Sequence, residues 1–351
     1  MSKVLFFSDL HAHNWTQFSR TLPGGRNSRL QAILDVVDYI AGYCKEHEIT
    51  HCFMLGDVFH SRTKIDVDVF SSTWQAFKRL SESVKHLFVM RGNHDSYDVE
   101  GSKHSLQAFS EFSTVIDKPE IDSVDGVSFA AIPYTKNMEA WSTFASMTSS
   151  QTDFFLFHQG VSAGLVGAFN ITIKAEVDIE ALPHRKAKFC FGGHYHKHQF
   201  MLPNVAFIGS PIQHTFGERD EAKGFLVLEK DEVWSKPKFV EIPGSPRFRQ
   251  FSEPAEMKAA IKEGFAVENN YVRISCKSSA AQTIIENFPT IQVDILPAKR
   301  EKKEARIDQD LVGDDKRLFE EYISRRSAML EVQGLDAEAL LHLGLSLISS
   351  D

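Results

Sequence analysis

Cysteine is scarce in these 351 residues: there are four, Cys44, Cys52, Cys190 and Cys276, and none forms a C-x-x-C pair. That excludes a disulfide scaffold and a cysteine-built zinc site, and the four read as reduced, buried side chains. Long apolar runs are missing too. No stretch approaches the roughly 18 residues of a spanning helix, and Asp9 interrupts the Val4 to Phe7 run before it can act as a signal. The expectation is a cytoplasmic protein with no membrane contact, in the host cytoplasm if the chain is phage-encoded. Positive charge is also short, with 39 Lys and Arg against 47 Asp and Glu for a formal charge of -8. A general basic surface for gripping nucleic acid is excluded, so any such grip must come from local contacts, bound cations or a partner.

What is present fits a globular main domain with a smaller appendage. From Val4 to about Leu228, short apolar runs alternate with amphipathic stretches, the pattern of a layered α/β domain. Leu30, Ile33, Leu34, Val37, Ile40, Ala41 and Cys44 recur at helical spacing and predict a helix from Ser28 to His47, with Asn27 placed to cap it. Val4 to Phe7, His51 to Leu55, His86 to Met90, Val127 to Ile132, Asp153 to Phe157 and Lys188 to Phe191 read as buried strands. Most end at a polar cluster, and strand ends of a layered sheet are where ligands gather.

After Pro243-Gly244 the character changes. Helices at Glu253 to Lys262 and Ser279 to Phe288 alternate with strands at Tyr271 to Cys276 and Ile291 to Leu296, a small α+β unit. A charge-rich stretch and two further helices follow, near Asp315 to Leu330 and Asp336 to Ile348. The boundaries read as a main domain at 1–240, a cap at 241–298, a charged linker at 299–314 and terminal helices at 315–351.

Five segments carry the ligand types that divalent metals take: Asp9-Leu10-His11, Gly56-Asp57-Val58-Phe59-His60, Gly92-Asn93-His94-Asp95, His158-Gln159 and Gly193-His194-Tyr195-His196. Imidazole, carboxylate and amide oxygen together suit manganese, iron or zinc. In extended backbone, residues two apart share a side, so Asp9 with His11, and His194 with His196, are expected to offer paired ligands. Glycine before Asp57, Asn93 and His194 is expected to let each strand turn sharply. Hydrogen-bonded strand-end caps are the competing account of these side chains. Five such segments, each closing an apolar strand, weigh against it.

This series resembles the calcineurin-like metallophosphoesterase superfamily. Within it, Gly56 to His60, Ile208-Gly209-Ser210-Pro211-Ile212, Phe216-Gly217-Glu218 and Lys223-Gly224 resemble SbcD-type nucleases, counterparts of the meiotic-recombination nuclease. The resemblance runs over roughly residues 3 to 300 and is looser in the cap. It implies an α/β fold: a layered β-sandwich flanked by helices, with a small α+β capping domain and C-terminal helices. Asp9, His11 and His196 would hold one divalent metal, Asn93, His158 and His194 a second, and Asp57 would bridge them. Two such ions clamp a phosphate about 3.5–4 Å apart and activate water for in-line attack. Manganese is the expected metal, with magnesium, iron or zinc as substitutes. His94 would protonate the leaving group or stabilise the transition state, and His60 would orient the phosphate or His94. Asp95 would support the loop behind the metals.

The resemblance further implies 3′-to-5′ exonuclease and single-strand endonuclease action on DNA in break repair and recombination. An SbcC-type coiled-coil ATPase would dock on the terminal helices, and the chain would form a homodimer. For the dimer, Val67, Val69, Phe70, Trp74, Phe77 and Leu80 carry more apolar surface than one helix face needs, joined by Leu106 and Phe109. The chain departs from its relatives at Ala12-His13-Asn14, where many have Leu-Gly. His13 is therefore a candidate for substrate or metal contact, Arg62 for phosphate contact, and His198 and His214 for support of the ligands. A small-molecule phosphodiesterase or phosphatase is the alternative function, since fold and metals alone do not select DNA. A scaffold without chemistry is the weakest reading.

Overall fold

The apolar runs build two six-stranded sheets packed face to face. A computed structural model describes residues 2–98, 101–167, 170–172, 175–296, 315–332 and 336–348. Two units separate along the chain, Met1–Ile295 and Leu296–Asp351. In the first sheet, β1 (Ser2–Phe7), β2 (His51–Leu55), β3 (His86–Met90) and β4 (Thr114–Ile116) run parallel; β13 (Gly224–Lys230) pairs antiparallel with β1, and β14 (Lys238–Glu241) antiparallel with β13. In the second, β6 (Val127–Ile132), β7 (Phe154–His158), β10 (Phe189–Gly193) and β12 (Val205–Phe207) run parallel, edged by antiparallel β5 (Glu120–Val124) and β11 (Gln199–Leu202). A two-stranded ribbon, β8 (Leu165–Val166) and β9 (Ile171–Thr172), lies apart from both sheets.

Side chains in β1 alternate between two cores. Val4 and Phe6 enter the layer between the sheets, while Leu5 and Phe7 pack under α1 (Ser28–Glu46) and α2 (Val67–Ser81). Covering both faces explains the near-continuous apolar sequence. The inner layer is rich in rings: Phe6 lies 5.2 Å from Phe53, 4.9 Å from Phe154 and 5.1 Å from Phe191. Truncating such a residue costs about 3–5 kcal/mol. Across the second sheet, α3 (Met138–Met147) buries Trp141, Phe144 and Ala145. The first helix begins where expected, with the Asn27 side chain accepting from the N–H groups of Arg29 and Leu30.

The cap is a parallel sheet of β15 (Phe248–Phe251), β16 (Tyr271–Cys276) and β17 (Gln292–Ile295), with α4 (Pro254–Lys262) and α5 (Ser278–Asn287). Phe248 and Tyr271 turn toward the main domain, where Phe248 lies 4.7 Å from Phe216 and 5.8 Å from Phe18. In the second unit, α6 (Asp315–Val332) and α7 (Ala337–Ile348) pair, burying Ile323 and setting Gly344 against the Phe319 ring. Tyr322, Leu343 and Leu347 stay exposed. The expected linker at 299–314 and Leu335 lie outside the described residues, as do the side chains of Met329, Leu330 and Ile348.

The surplus apolar surface expected on α2 is largely taken up internally. Val69, Phe77, Leu80, Leu106 and Phe109 are buried in the core under the first sheet, and Phe70 and Trp74 pack against it. Only Val67 of this group is strongly exposed.

Candidate metal centre

The parallel strands β1, β2, β3, β7 and β10 all deliver a ligand-bearing residue at or just past their C-terminal ends. The mechanism of pairing differs from strand alternation. β1 ends at Phe7, and Asp9 and His11 have φ of 54° and 47°, while Asp57 has 58° and His194 has 96°. Left-handed turns therefore aim these side chains, a conformation that costs non-glycine residues energy and collects at functional sites. Backbone bonds hold the turns: Asp9 N–H donates to Gly56 O at 3.0 Å, His11 N–H to Asp57 O at 2.9 Å, and Ala12 N–H to Val58 O at 2.8 Å. His194 N–H donates to the Asp9 carboxylate at 3.0 and 3.1 Å.

The glycines serve mostly to clear space. Of the three before Asp57, Asn93 and His194, only Gly56 has a positive φ. A Cβ on Gly92 would overlap Asp57, and one on Gly193 would overlap Ser8 and the Leu55 carbonyl.

All seven expected ligands converge in two groups. Asp9, His11 and His196 place ligand atoms within 4.8 Å of one another, with His11 Nε2 and His196 Nε2 only 3.0 Å apart. On the other side, Asn93 Oδ1 stands 3.0 Å from His158 Nε2 and 3.1 Å from His194 Nδ1. Asp57 Oδ2 lies between the groups, 3.6 Å from His11 Nε2 and 3.4 Å from His158 Nε2. Ligands at about 2.1 Å from an ion and at right angles stand roughly 3 Å apart, so the spacings fit metal coordination. Asn93 makes the same point: its Oδ1 also faces Asp57 Oδ2 at 3.2 Å, while Arg62 Nη2 lies 2.9 Å from the amide nitrogen. Hydrogen bonding alone would turn the amide over. A cation shared by Asn93, His158 and His194 requires the oxygen where it stands.

The charges are strongly coupled. Burial opposes ionisation of Asp57, but His158, His11 and His94 outweigh it and hold its carboxyl well below the usual range. Burial likewise disfavours the His158 cation, yet Asp57 and Asp9 raise it to about 9. Burial pushes His194 down to about 3. A divalent ion replaces protons in such a cluster, so binding releases them.

The surrounding residues fix this geometry. Asp95 accepts from four backbone N–H groups: Asp57 and Gly92 at 2.9 Å, Phe59 at 3.1 Å and Val58 at 3.3 Å. It ties the two central loops together. Burial, with the Asp57 charge, lifts its pKa to about 7 against the pull of those donors. His94 N–H donates to Asp57 Oδ1 at 2.7 Å, and His94 Nδ1–H to the His60 carbonyl at 2.6 Å. His13 packs by its ring against Trp15 and His60, 5.3 and 5.2 Å away, outside the ligand groups.

Behind His196 lies a buried ionic network. His196 Nδ1–H donates to Glu218 Oε1 at 3.0 Å, and Lys223 Nζ reaches Glu218 at 2.9 Å, Glu221 at 2.8 Å, the His196 carbonyl at 2.8 Å and Ser210 Oγ at 3.0 Å. His214 donates from its N–H to Glu218 at 3.1 Å and from Nε2–H to the Asp9 carbonyl at 3.0 Å. In the sequence Glu218 stands out only as part of Phe216-Gly217-Glu218. Its spacing from His196 has no local pattern that reveals the bond. His198 instead faces the Phe207 and Ile208 carbonyls and stacks 4.1 Å from Phe239, away from the ligands.

Five of the seven, His11, Asp57, Asn93, His194 and His196, line a cavity of about 170 Å³ with Trp15, His60, His94, His214 and Thr215. Two groups of hard donors flanking one carboxylate, with imidazoles above them, define a metal-dependent phosphoester hydrolase. The calcineurin-like phosphoesterase family model matches residues 2–198, and the chain belongs to that family, whose members use divalent metals. A viral protein named as a phosphoesterase, from invertebrate iridescent virus 6, is 22% identical over 260 residues, covering 70% of this chain and 89% of the relative. Exonuclease subunit 1 of Enterobacteria phage T4 is 24% identical over 212 residues, covering 56% of this chain and 58% of the phage protein. Among solved structures, a dimetal phosphatase from Danio rerio aligns at a TM-score of 0.40 and 9% identity, over 68% of this chain and 97% of that one.

Proposed function

We propose that this phosphoesterase is a manganese-preferring DNA nuclease of the SbcD type, working with a coiled-coil ATPase on its terminal helices. The observation that carries the reading is the network behind His196. Ser210, Glu218 and Lys223, all from the segments that resemble SbcD-type nucleases, meet there and hold a metal ligand directly. The alignment with the phage exonuclease subunit supports the same reading, and the exposed Tyr322, Leu343 and Leu347 offer the ATPase an apolar surface.

Asp9, His11, His196 and Asp57 would hold one divalent ion, and Asn93, His158, His194 and Asp57 the other. When bound, such ions neutralise phosphate charge and supply a hydroxide nucleophile. Arg62, exposed at the rim beside Asn93, receives a non-bridging phosphate oxygen. The Nδ1–H bond to the His60 carbonyl orients the His94 ring, so that Nε2, protonated in the imidazolium form, carries the proton for the leaving oxygen.

The test compares single-stranded DNA, duplex ends and a small chromogenic diester with manganese, with and without a candidate ATPase. Cleavage of DNA ends, enhanced by the ATPase and lost in His94→Ala with metal content intact, is the expected result. Preference for the small ester in both conditions would assign the small-diester function, which the modest 170 Å³ cavity favours.

A further inference from the structure

One side chain on the cavity wall has no part in metal binding. Trp15 follows the Ala12-His13-Asn14 departure from the family pattern, lines the same cavity as the ligands and is only partly buried. Its indole N–H has no hydrogen-bond partner among the described residues, so the ring is held by its faces. The Arg29 guanidinium sits 4.9 Å from the indole centroid, and the His60 ring 4.4 Å from it, tilted by 43°. His60 then lies 5.3 Å from His94, with ring planes within 19°. A column runs from Arg29 through Trp15 and His60 to His94.

Both ends of this column are anchored. Arg29 is buried, donates to the His214 carbonyl at 2.9 Å and the Gln17 carbonyl at 3.3 Å, and also lies 4.7 Å from the Tyr271 ring of the cap. The Trp15 carbonyl accepts from Asn27 Nδ2 at 2.8 Å, fixing the loop to the start of α1. At the other end, the His60 carbonyl holds His94 Nδ1, and His60 N–H donates to the Ala12 carbonyl at 3.2 Å. The segment that carries Trp15 is thus bonded to the segment that aims His94.

We propose that Trp15 is a positioning residue for His94, acting through His60 and braced on the cap side by Arg29. The inference rests on the assignment of His94 as proton donor, and extends it to the residue that keeps the donor in place. Removing the indole opens space beside His60, lets its ring and carbonyl shift, and frees His94 to leave its productive orientation. A misplacement of about 1 Å is enough for a loss on the order of 100-fold. The effect is selective, because an acidic leaving group departs without a proton and a basic one does not.

The experiment uses the full chain with manganese and aryl esters of thymidine 5′-phosphate whose phenols range from strongly to weakly acidic. Trp15→Ala should lose about 3-fold or less in kcat on the p-nitrophenyl ester and about 30- to 100-fold on the phenyl ester, with KM nearly constant. Trp15→Phe should restore most of the loss, since the indole N–H is unused, and Arg29→Met should show the same selectivity more weakly. Bound manganese per chain should match the wild type, and each variant should unfold in one cooperative transition. Should Trp15→Ala fail to fold, Trp15→Leu keeps the bulk without the π face and answers the same question. Equal losses on all esters, no loss on any, or loss of bound metal would each overturn the proposal. The aryl series reads the column independently of DNA, so failure to cut DNA refutes the nuclease reading alone.

Discussion

Gly92→Ala puts the architecture of the centre to a sharp test. Gly92 has no positive φ, so alanine meets no backbone conflict there, and the whole effect is steric. The new Cβ would overlap both the backbone nitrogen and the Oδ1 of Asp57. Neither can yield cheaply: the nitrogen is bonded to Asp95 at 2.9 Å, and Oδ1 accepts from His94 N–H at 2.7 Å. Overpacking costs about 1–3 kcal/mol, and losing a charge-assisted bond adds about 1.5–3 kcal/mol. The variant should therefore lose about 3–5 kcal/mol, a fall of roughly 6–10 °C in melting midpoint for a unit of this size. Calorimetry in chelator excludes stabilisation by bound ions, and elemental analysis after reloading counts them. Because Asp57 faces both ligand groups, both ions should be lost together. A midpoint within about 2 °C of wild type, with both ions retained, would refute the close-approach reasoning.

Asp57→Asn should lower occupancy at both metal positions, and loss of one ion only, by elemental analysis, would argue against a bridging role. Glu218→Gln removes the carboxylate that orients His196, and titration calorimetry should record about 10- to 100-fold weaker metal binding; unchanged affinity would reduce the network to packing. Asp153 sits between Lys188 at 2.7 Å and Lys230 at 3.3 Å. Burial opposes its charge, but the Lys188 bond and the Ser128 N–H prevail and lower it from 3.8 to about 2. That depression is worth roughly 2 kcal/mol, and solvent around the half-exposed Lys188 reduces it to about 1 kcal/mol. Its folded pKa lies below the unfolded value, so this stability is complete above about pH 4 and vanishes as pH falls toward 2. Denaturant unfolding of Asp153→Asn should show a deficit at pH 7 that closes across that window, and a pH-independent deficit would count against it.

Much of this centre was legible because the ligands are hard donors at the ends of apolar strands. β2 and β3 follow the expected boundaries, since both faces of each are buried and the sequence is apolar throughout. Strands such as β5, with Glu120, Asp122 and Ser123, are polar and become strands only by pairing with β6. β15 shows no apolar run for a related reason, its two central residues, Arg249 and Gln250, being polar and exposed. Strand alternation predicts the pairing of Asp9 and His11, whereas left-handed turns produce it. His214 stands close enough to the last motif to be a candidate, whereas Trp15 and Glu218 owe their places to contacts across long stretches of chain, which no local spacing encodes.

The register of β1 carries a consequence for the making of the protein. Val4 pairs with Leu228, so one of the first strands synthesised lacks its β13 neighbour until more than 200 residues later. At 5–20 residues per second that interval is roughly 10–45 s. Phe6 likewise waits for Phe154 and Phe191, and Phe53 for Phe129, all on the second sheet and made before β13. Long-range pairing of this kind folds slowly. Premature termination before β13 should therefore release a chain with an unpaired β1 edge, the kind of exposed strand that aggregates.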